Sequence, residues 1–569
     1  MAEYLSPGVY VEEFESGAKP MEGVGTSTAG FVGLAERGPV GGVPVLVTNF
    51  ADFKRKYGGY LSAIEFGDNR FLAYSVEEFF LNGGARAFIS RVAPADAKSA
   101  SGAVPAESPV ITITAADEGK WGNDINVIIS PASKAKTQIM SVIEGAKYQV
   151  KKSAGFEAGD VIVLEGAGEK VYNKVVKSQD NVIELEKAFE VSCVDANLVP
   201  VITISTCEFN IEAKYDDIDE FYGDVSFNAA AASYIGNKLS KSVLIKADVV
   251  AEVTAAPFVA LAGEKAVCAV ELKGGSNGTN AAVTADVFMG TDKGPGKRTG
   301  IQAFLDNDVV SIMAVPGVTD PNVQLTLVAH CENLGSRFAV LDMPESLTST
   351  DEILTHRNII DSTYAAMYHP WLKVFDPLDK KTVNVPPSGS VIGIFARSDN
   401  SKGVHKAPAN EVVRGCTGLS VPFNKGEQDI LNPKGVNLIR SFPGQGIRVW
   451  GARTASSDPS WKYVNVRRLF IFLEESIKAN TNWVVFEPND EKLWSRVKRT
   501  IDGFLRTMWR DGALAGTSEG EAFYCNIGRT TMSQDDIDNG RLICVIGVAP
   551  VKPAEFVIFR ITQKTGGAD

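Results

Sequence analysis

Residues 489–511, NDEKLWSRVKRTIDGFLRTMWRD, decide how the C-terminal part of this chain folds. Pro488 and Asn489 form a helix start signal, and Gly512 follows the last turn as a helix-ending glycine does. Apolar residues recur inside the stretch at three- and four-residue steps: Trp494, Val497, Ile501, Phe504, Leu505 and Met508. This periodicity predicts one long helix with a single buried face.

The opposite side of the predicted helix carries a row of basic residues, which we call the basic ridge: Lys492, Arg496, Arg499, Arg506 and Arg510. At about 100° per residue, these positions fall within roughly 80° of one another. Gly503 lies in the middle of the row, while Glu491 and Asp502 lie to its side, so we expect nothing in the row to neutralise it. A charge run on a helix is usually a solvated face, and the alternative is a docking surface for an acidic partner.

Length and composition limit the class of protein. The chain has 569 residues, which suggests roughly three or four domains. Hydrophobic residues make up 44% and charged residues 22% of the chain, as in an ordinary globular protein. The net charge of −12 argues against nucleic-acid binding by bulk electrostatics. The basic ridge is therefore a local exception in an acidic protein.

Signals for export, membrane insertion and disulfide formation are weak. The first ten residues lack the charged and apolar regions of a signal peptide. The richest apolar run, residues 542–551, has about half of the roughly 20 residues that a bilayer requires. The seven cysteines are odd in number and contain no CxxC pair, which argues against a disulfide framework or a zinc site. We expect synthesis in a cytosol.

Strands and helices alternate on either side of a central region. Buried strands and helices are predicted over 28–93 and again after 268, which favours a mostly parallel sheet covered on both faces. Residues 101–267 instead contain short strand-like runs at close intervals, which favours a sandwich or barrel. Among the individual elements, we predict a helix within 321–335 with Val323, Leu327 and Cys331 on one face, a helix over 229–239, and a strand leading into a helix over 390–398. The predicted strands outside the central region are 29–34, 87–92, 338–342 and 483–486. Those inside it are 110–114, 125–129, 161–164, 182–185 and 201–204.

Both ends of the chain predict strands with no obvious sheet of their own. Near the start, strand formers lie between turn formers: Val9, Tyr10 and Val11. Near the end, residues 555–562 follow two prolines and are apolar on both faces: Phe556 and Ile558 on one, Val557, Phe559 and Ile561 on the other. An unpaired strand of this kind is an aggregation hazard. It must pair either within its own sheet or with another chain by strand addition.

The predicted fold class is α/β and α+β multidomain. A mostly parallel α/β central domain carries a β-rich insertion, and an α+β C-terminal domain and extended N- and C-terminal strand arms complete the chain. The predicted bounds are an N-terminal linking arm at 1–25, a discontinuous α/β domain at 26–100 and 268–428, an outward-facing β-rich insertion at 101–267, a C-terminal α+β domain at 429–549 and a C-terminal linking arm at 550–569.

The chain offers no catalytic constellation. The four histidines lack a paired metal-binding spacing, and GTDKGPGKR at 290–298 misses the phosphate-loop spacing. We therefore predict no enzyme, no metal and no cofactor. Two alternatives stay open at this point. An α/β hydrolase would need a pocket with convergent polar groups among Asp342, Ser388, His369 and His405, and a nucleic-acid binder would use the basic ridge.

Residues 443–489, PGQGIRVWGARTASSDPSWKYVNVRRLFIFLEESIKANTNWVVFEPN, resemble the C-terminal domain of the sheath protein of contractile phage tails and related contractile injection particles. The resemblance continues through LWSRVKRTIDGFLRTMWRDGAL, IDNGRL and EFVIFRI, and the opening SPGVYVEE is similar to the N-terminal arm of that family. KAPAN at 406–410 and WGN at 121–123 are further family-like words. The resemblance spans both ends and the α/β middle, while 130–265 carries no such word.

The resemblance implies a structural role. Sheath subunits stack as hexameric rings around an inner tube in a metastable extended state, and they contract to drive the tube through a target cell envelope. The implied partners are further copies of the chain, the inner tube protein, and baseplate and tail terminator proteins at the ends. The implied location is a phage virion tail or an injection particle made in the bacterial cytoplasm, with neither nucleic-acid binding nor membrane insertion.

The resemblance also implies roles for particular residues. The basic ridge is the expected tube-facing surface. The terminal arms are expected to add strands to the C-terminal domains of neighbouring subunits, through Val9, Tyr10, Val11, Phe14, Phe556, Val557, Ile558, Phe559 and Ile561. We expect residues 551–554 to act as a hinge, so that the strands persist through contraction while the weaker charge contacts release.

Overall fold

The computed structural model describes residues 21–166, 169–188, 202–251, 256–263, 265–558 and 560. Its strands are β1 Ala29–Leu34, β2 Val45–Val47, β3 Ala87–Val92, β4 Ser101–Val104, β5 Ile111–Ala115, β6 Asn126–Ala132, β7 Lys136–Glu144, β8 Lys147–Val150, β9 Val161–Gly166, β10 Glu169–Gln179, β11 Val182–Leu185, β12 Thr203–Thr206, β13 Glu208–Tyr215, β14 Ile218–Val225, β15 Ile245–Val249, β16 Cys268–Glu271, β17 Ile312–Ala314, β18 Phe338–Asp342, β19 Ala365–His369, β20 Leu372–Asp376, β21 Lys381–Val385, β22 Glu411–Val412, β23 Gly418–Leu419, β24 Val436–Phe442, β25 Gly446–Val449, β26 Phe523–Ile527 and β27 Cys544–Val548.

The α-helices of the described residues are α1 Phe50–Tyr57, α2 Ala63–Phe66, α3 Leu72–Leu81, α4 Ile235–Lys238, α5 Pro257–Ala262, α6 Ala285–Met289, α7 Pro321–Leu334, α8 Thr350–Arg357, α9 Ser388–Lys402, α10 Lys425–Leu431, α11 Val464–Asn480, α12 Glu491–Arg510, α13 Glu519–Ala522 and α14 Gln534–Asp538. None of these helices combines the length and the hydropathy that a membrane crossing requires.

The chain divides into two compact units. The first comprises Met1–Phe31, Tyr74–Phe88 and Asn307–Asp569, and the second comprises Val32–Ala73 and Ile89–Asp306. The domain bounds predicted from the sequence stay a prediction.

The first unit is built on a largely parallel sheet. β1, β17, β18, β19 and β24 are neighbours and run parallel, with the register Ala29↔Ile312, Ile312↔Phe338, Ala339↔Ala365 and Met367↔Val436. β25 and β22 continue the sheet in antiparallel pairing. Every residue of β17, β18 and β19 is buried, which explains why the sequence shows unbroken apolar runs there rather than alternation. The prediction of a mostly parallel sheet is confirmed for these strands.

Helices of the first unit cover this sheet. The predicted buried face of α7 is confirmed, because Val323, Leu327 and Cys331 are all buried. α9 is apolar on most sides and packs its Phe395 ring 6.4 Å from Phe338 and 6.3 Å from Tyr368, between ring centroids. The prediction that α9 begins as a strand is wrong, since residues 388–402 are helical throughout. A helix that is buried on many faces has no polar stripe, so its sequence pattern cannot be distinguished from that of a buried strand.

The second unit is rich in strands. A closed barrel has the strand order β10-β11-β8-β7-β12-β9, and a four-stranded sheet has the order β14-β13-β6-β16. The barrel encloses an apolar cluster that includes Tyr148, Ile162, Leu164, Val175 and Ile183. The predicted strands near 110, 125, 161, 182 and 201 are found. The predicted helix over 229–239 is wrong over most of its length, because only Ile235–Lys238 forms an α-helix.

Candidate interaction surfaces

α12 is the helix that carries the basic ridge. It begins after Asp490, whose side chain accepts a hydrogen bond from the Leu493 backbone N–H at 2.8 Å. An N-cap carboxylate satisfies an otherwise unpaired donor and lies favourably at the positive end of the helix dipole. The buried face comprises Leu493, Trp494, Val497, Ile501, Phe504 and Leu505. The amphipathic helix predicted over 489–511 is thus confirmed in type and in its buried face.

The basic ridge faces away from this core. Lys492, Arg496, Arg499 and Arg510 are exposed and Arg506 is half-buried. The expectation that nothing neutralises the row is wrong at two positions. Arg496 Nη2 lies 2.9 Å from Glu487 Oε2, and Arg506 donates two hydrogen bonds to Glu519, from Nε at 2.9 Å and from Nη2 at 2.7 Å. The residue spacing within α12 does not predict these pairs, because neither Glu487 nor Glu519 lies on that helix.

Three cations of the basic ridge remain available to a partner. Lys492, Arg499 and Arg510 form no ion pair with any described residue. All three are exposed, so their charges are solvated and cost little to hold in the isolated chain. We call these three residues the unpaired cations. They give α12 a localised positive surface.

A short apolar turn adjoins the basic ridge. The predicted strand over 483–486 is wrong, since Asn482–Val484 forms a 3₁₀ turn and Phe486 has a φ of 67°. The Phe486 side chain is fully exposed and that of Val485 is 63% exposed. The Arg496 guanidinium lies 4.3 Å from the centre of the Trp483 ring, which joins this turn to the ridge. A bulky residue with left-handed backbone dihedral angles is unusual, and such strained residues cluster at functional sites. We call residues 483–486 the apolar turn.

A small sheet packs against α12. β26 and β27 form a two-stranded antiparallel sheet, with Cys525 opposite Ile546 and Ile527 opposite Cys544. Its inner residues Phe523 and Cys525 belong to the core cluster of α12, while Tyr524 and Val545 on the other face are 53% and 43% exposed. Among the described residues, no further strand pairs with either outer edge. A sheet of two strands is marginal alone, and its free edges are templates for an added strand.

The described part of the C-terminal arm is not a strand. Residues 555–558 belong to no strand, and Phe556, Val557 and Ile558 are 72%, 69% and 79% exposed. The predicted strand over 555–562 is therefore not present in these four residues, since no strand of the described residues pairs with them. The predicted arm residues Val9, Tyr10, Val11, Phe14, Phe559 and Ile561 lie outside the described residues.

The four groups of the hydrolase alternative do not converge. Ser388 Oγ donates directly to Asp342 Oδ2 at 2.7 Å, with no histidine between them. Burial raises the pKa of Asp342 to about 6, against the lowering effect of the hydrogen bonds from Gly317 and Ser388. The His369 Nε2 atom lies 2.9 Å from the Leu347 carbonyl oxygen, to which it donates. No hydrogen bond of the described residues joins His369 or His405 to Ser388, so a nucleophile–base pair is not assembled there.

Within the described ranges, no group of three or more His, Cys, Asp or Glu side chains is arranged to hold a metal ion. The features that remain are surfaces: the basic ridge, the apolar turn, and the free edges of the β26–β27 sheet.

Comparison with protein families gives two consecutive matches. Residues 293–455 match the phage tail sheath protein central domain, and residues 456–564 match the phage tail sheath C-terminal domain. The boundary between the two matches falls before α11. The second match therefore contains α11, α12 and the β26–β27 sheet.

Individual sheath proteins are also similar to this chain. A putative prophage major tail sheath protein of Pseudomonas aeruginosa (strain UCBPP-PA14) is 27% identical over 300 residues, which covers 50% of this chain and 75% of that protein. The tail sheath protein of Burkholderia phage BcepMu is 28% identical over 259 residues, which covers 41% of this chain and 53% of that protein.

A solved structure extends the likeness over nearly the whole chain. The contracted sheath complex of the extracellular contractile injection system PVC aligns with a TM-score of 0.52 at 20% identity, covering 99% of both chains. At this identity the likeness concerns the fold. The two family matches and the similar sheath proteins confirm the resemblance described in the sequence analysis, and this structural likeness agrees with it. The chain belongs to the family of phage tail sheath proteins.

Proposed function

We propose that this chain polymerises as stacked hexameric rings around an inner tube in a metastable extended state. Contraction of the sleeve then drives the tube through a target cell envelope. The role is structural rather than enzymatic. The partners are further copies of this chain, the inner tube protein, and baseplate and terminator proteins at the two ends of the sleeve.

The basic ridge is the proposed contact with the tube. The unpaired cations Lys492, Arg499 and Arg510 support this proposal because they form a positive surface on a chain of net charge −12. Exposed ion pairs contribute about 1 kcal/mol or less each. A row of such contacts holds a tube in place collectively and releases when the sleeve widens. Arg496 and Arg506 contribute less charge, since Glu487 and Glu519 already pair with them.

Strand exchange is the proposed contact between subunits. The β26–β27 sheet supports it, because its described strands have two outer edges without a ladder partner. The exposed apolar residues Phe556, Val557 and Ile558 also support it, because no described strand pairs with them. Addition of a strand from a neighbouring subunit would give main-chain hydrogen bonds both to the free edges of the sheet and to the exposed C-terminal residues. Such ladders persist while the subunits rotate.

The observation that carries the proposal is the set of unpaired cations on the exposed face of a helix of the matched C-terminal sheath domain. Its test is reversal of all three, Lys492→Glu, Arg499→Glu and Arg510→Glu, followed by sedimentation with and without purified inner tube. The matched control reverses three exposed lysines of the same unit that lie off α12: Lys373, Lys380 and Lys425. We expect the first variant to lose tube binding and to keep tube-free polymers, and the control to keep both.

Deletion of the arms tests the contact between subunits. Removal of residues 1–15, or of residues 556–569, should leave a folded chain that forms no long polymers in electron micrographs. Sleeves of normal length from both deletions would overturn the strand-exchange proposal. Unchanged sedimentation of the Lys492/Arg499/Arg510 variant with the tube would overturn the assignment of the ridge.

A further inference from the structure

The N-terminal segment 22–26 lies along α11. The Glu22 N–H donates to Asn480 Oδ1 at 3.3 Å, and Asn480 Nδ2 donates back to the Glu22 carbonyl at 2.8 Å. The Val24 N–H donates to Ser476 Oγ at 3.1 Å. Arg468 Nη2 donates to the Thr26 carbonyl at 2.9 Å. The segment therefore runs antiparallel to the helix, with Glu22 at the helix end and Thr26 towards the helix start.

The spacing of these contacts has a simple geometric cause. Alternate residues of the segment meet helix positions at four- and eight-residue steps. Two residues of extended chain advance about 6.6 Å. Four residues of an α-helix advance about 6 Å. The step from Glu22 to Val24 therefore matches the step from Asn480 to Ser476 in length. The next step spans eight helix residues, about 12 Å, and the long Arg468 side chain covers the difference to reach the Thr26 carbonyl.

Gly23 allows the close approach between these contacts. A Cβ atom at Gly23 would lie 2.7 Å from the ring of Phe472, which is the intervening member of the same helix row. Phe472 in turn packs 6.1 Å from the Phe504 ring of α12, between centroids. A side chain at position 23 would require the Phe472 ring or the segment itself to move.

A buried ion pair fixes the inner end of the segment. Arg468 donates from Nη1 to Asp399 Oδ1 at 3.0 Å and from Nη2 to Asp399 Oδ2 at 2.6 Å, and the two side chains are 4% and 3% exposed. The Thr26 hydroxyl donates to the same Asp399 carboxylate at 2.7 Å. Removal of one partner of such a pair leaves an uncompensated buried charge. Thr26 is thus attached to a rigid point of the first unit.

The C-terminal arm is held at the opposite end of α11. Glu555 accepts hydrogen bonds from Arg453 at 2.7 and 2.6 Å, from Asn432 at 2.7 Å and from Tyr463 at 3.1 Å. Tyr463 is the N-cap residue, immediately before α11. Burial works to raise the pKa of Glu555, but the bonds from Arg453 and Asn432 prevail and lower it to about 2. We call this arrangement the Glu555 clamp.

Residues between the β26–β27 sheet and the clamp are anchored as well. The Val551 N–H donates to the Ala513 carbonyl at 3.3 Å, and Asn465 of α11 donates to the Val551 carbonyl at 3.4 Å. The hinge expected over 551–554 therefore lies between two attached points, Val551 and Glu555. The arm becomes free of the domain only after Glu555, where Phe556 is exposed.

We infer that α11 is the strut that carries tension between the two linking arms of a subunit. Its C-terminal half binds the root of the N-terminal arm and its N-terminal end binds the root of the C-terminal arm. The helix has 17 residues, which places the two exits about 25 Å apart along its axis. This inference rests on the proposed strand exchange, since tension exists only if both arms bind neighbouring copies. A pull on one arm then passes through hydrogen-bonded helix to the other.

The experiment compares the mechanical strength of polymers whose arms are intact. Ser476→Ala with Asn480→Ala removes the contacts to Val24 and Glu22, and Glu555→Gln weakens the clamp while it keeps the side-chain shape. Lys478→Ala is the matched control, because Lys478 lies on α11 between the two altered positions and, among the described residues, pairs with Glu475 at 3.2 Å rather than with the N-terminal segment. Tube-free polymers of each variant are sheared by calibrated sonication, and fragment lengths are measured in electron micrographs.

We expect the two anchor variants to polymerise and then to break into fragments at least about twofold shorter than those of the wild type and of the Lys478→Ala control. Hydrogen exchange of the Val24 amide should accelerate in the double variant. Fragments of wild-type length from both anchor variants would overturn the strut. Should the double variant fail to fold, Asn480→Ala alone, at the end of the helix, repeats the test.

The same assay separates the strut from strand exchange. Chains that lack residues 1–15 carry intact anchors and lack the N-terminal linking strand. Absence of polymers from that deletion supports strand exchange, whatever the anchor variants do. Normal polymers from that deletion would overturn strand exchange. If the deletion abolishes polymers but the anchor variants give fragments of wild-type length, only the strut is overturned.

Discussion

The Arg506 guanidinium is paired with the Glu519 carboxylate through two hydrogen bonds, of 2.7 and 2.9 Å. The acid lies on α13 and the base on α12, so packing of two helices cancels part of the charge of the basic ridge. Glu487, which directly follows the apolar turn, likewise pairs with Arg496 and cancels part of its charge. The chain thus limits the positive charge that α12 presents, which fits the proposed releasable contact with the inner tube.

Glu519→Gln should strengthen binding to the inner tube. The substitution frees the charge of Arg506 while it leaves every basic residue in place. We expect more chain to sediment with the tube at each salt concentration, and a steeper loss of binding as salt rises, since more charge pairs are screened. Glu521→Gln is the control, because Glu521 accepts from Thr517 rather than from the ridge. Weaker tube binding by Glu519→Gln would contradict the role of the ridge.

Phe486→Ser should preserve folding and impair assembly. The Phe486 side chain is fully exposed in the isolated chain, so its removal takes away no internal packing. Because the apolar turn adjoins the ridge through Arg496, we expect reduced sedimentation with the tube and an unchanged melting temperature. Ile64→Ser, at a side chain that is 93% exposed, serves as the control and should leave assembly unchanged. Loss of tube-free polymers instead would assign the turn to a contact between subunits.

The stability of the first unit should fall as pH rises from 5 to 8. Burial raises the pKa of Glu78 to about 7, so the folded chain holds this proton where the unfolded chain releases it. The contribution is fully present below the unfolded pKa of about 4.3 and is lost as pH rises through 7. Its size is on the order of 3 kcal/mol.

Glu78→Gln isolates this contribution. The glutamine keeps an acceptor for the Ser390 hydroxyl, which donates to Glu78 at 2.7 Å, and does not ionise. Urea unfolding at pH 5 and pH 8 should show a smaller pH dependence for the variant than for the wild type. Buried Asp342, whose pKa burial raises to about 6, leaves a residual dependence of the same sign. Identical pH dependence of the two proteins would show that Glu78 does not titrate as stated.

Two glycines at α12 should respond to alanine in opposite directions. Gly503 lies inside the helix with open space around its Cβ position, so Gly503→Ala should stabilise the chain by about 0.5–1 kcal/mol. Gly512 has a φ of 80°, so Gly512→Ala should destabilise it by about 1–2 kcal/mol even though space is free there as well. Thermal unfolding measures both. Equal shifts of the same sign would contradict the backbone argument.

Local pattern was sufficient for elements with one clear buried face. The buried residues of α12 and α7 and the strands β1, β3 and β18 agree with prediction, because burial of a helix or strand leaves a periodic trace in its own residues. The pattern failed where that trace is absent. α9 is buried on many sides, and residues 483–486 are apolar yet turn outward at Phe486.

Family membership and the basic ridge also followed from residues in sequence, since both depend on ordered words and spacing within one segment. The effective charge of the ridge did not, because Glu487 and Glu519 reach α12 from outside it. Nor did the anchoring of the arms. Glu22 and Asn480 are separated by 458 positions, and Arg453 and Glu555 by 102. Periodicity tells which face of an element is buried, whereas the identity of the group that meets that face is decided only when distant segments pack.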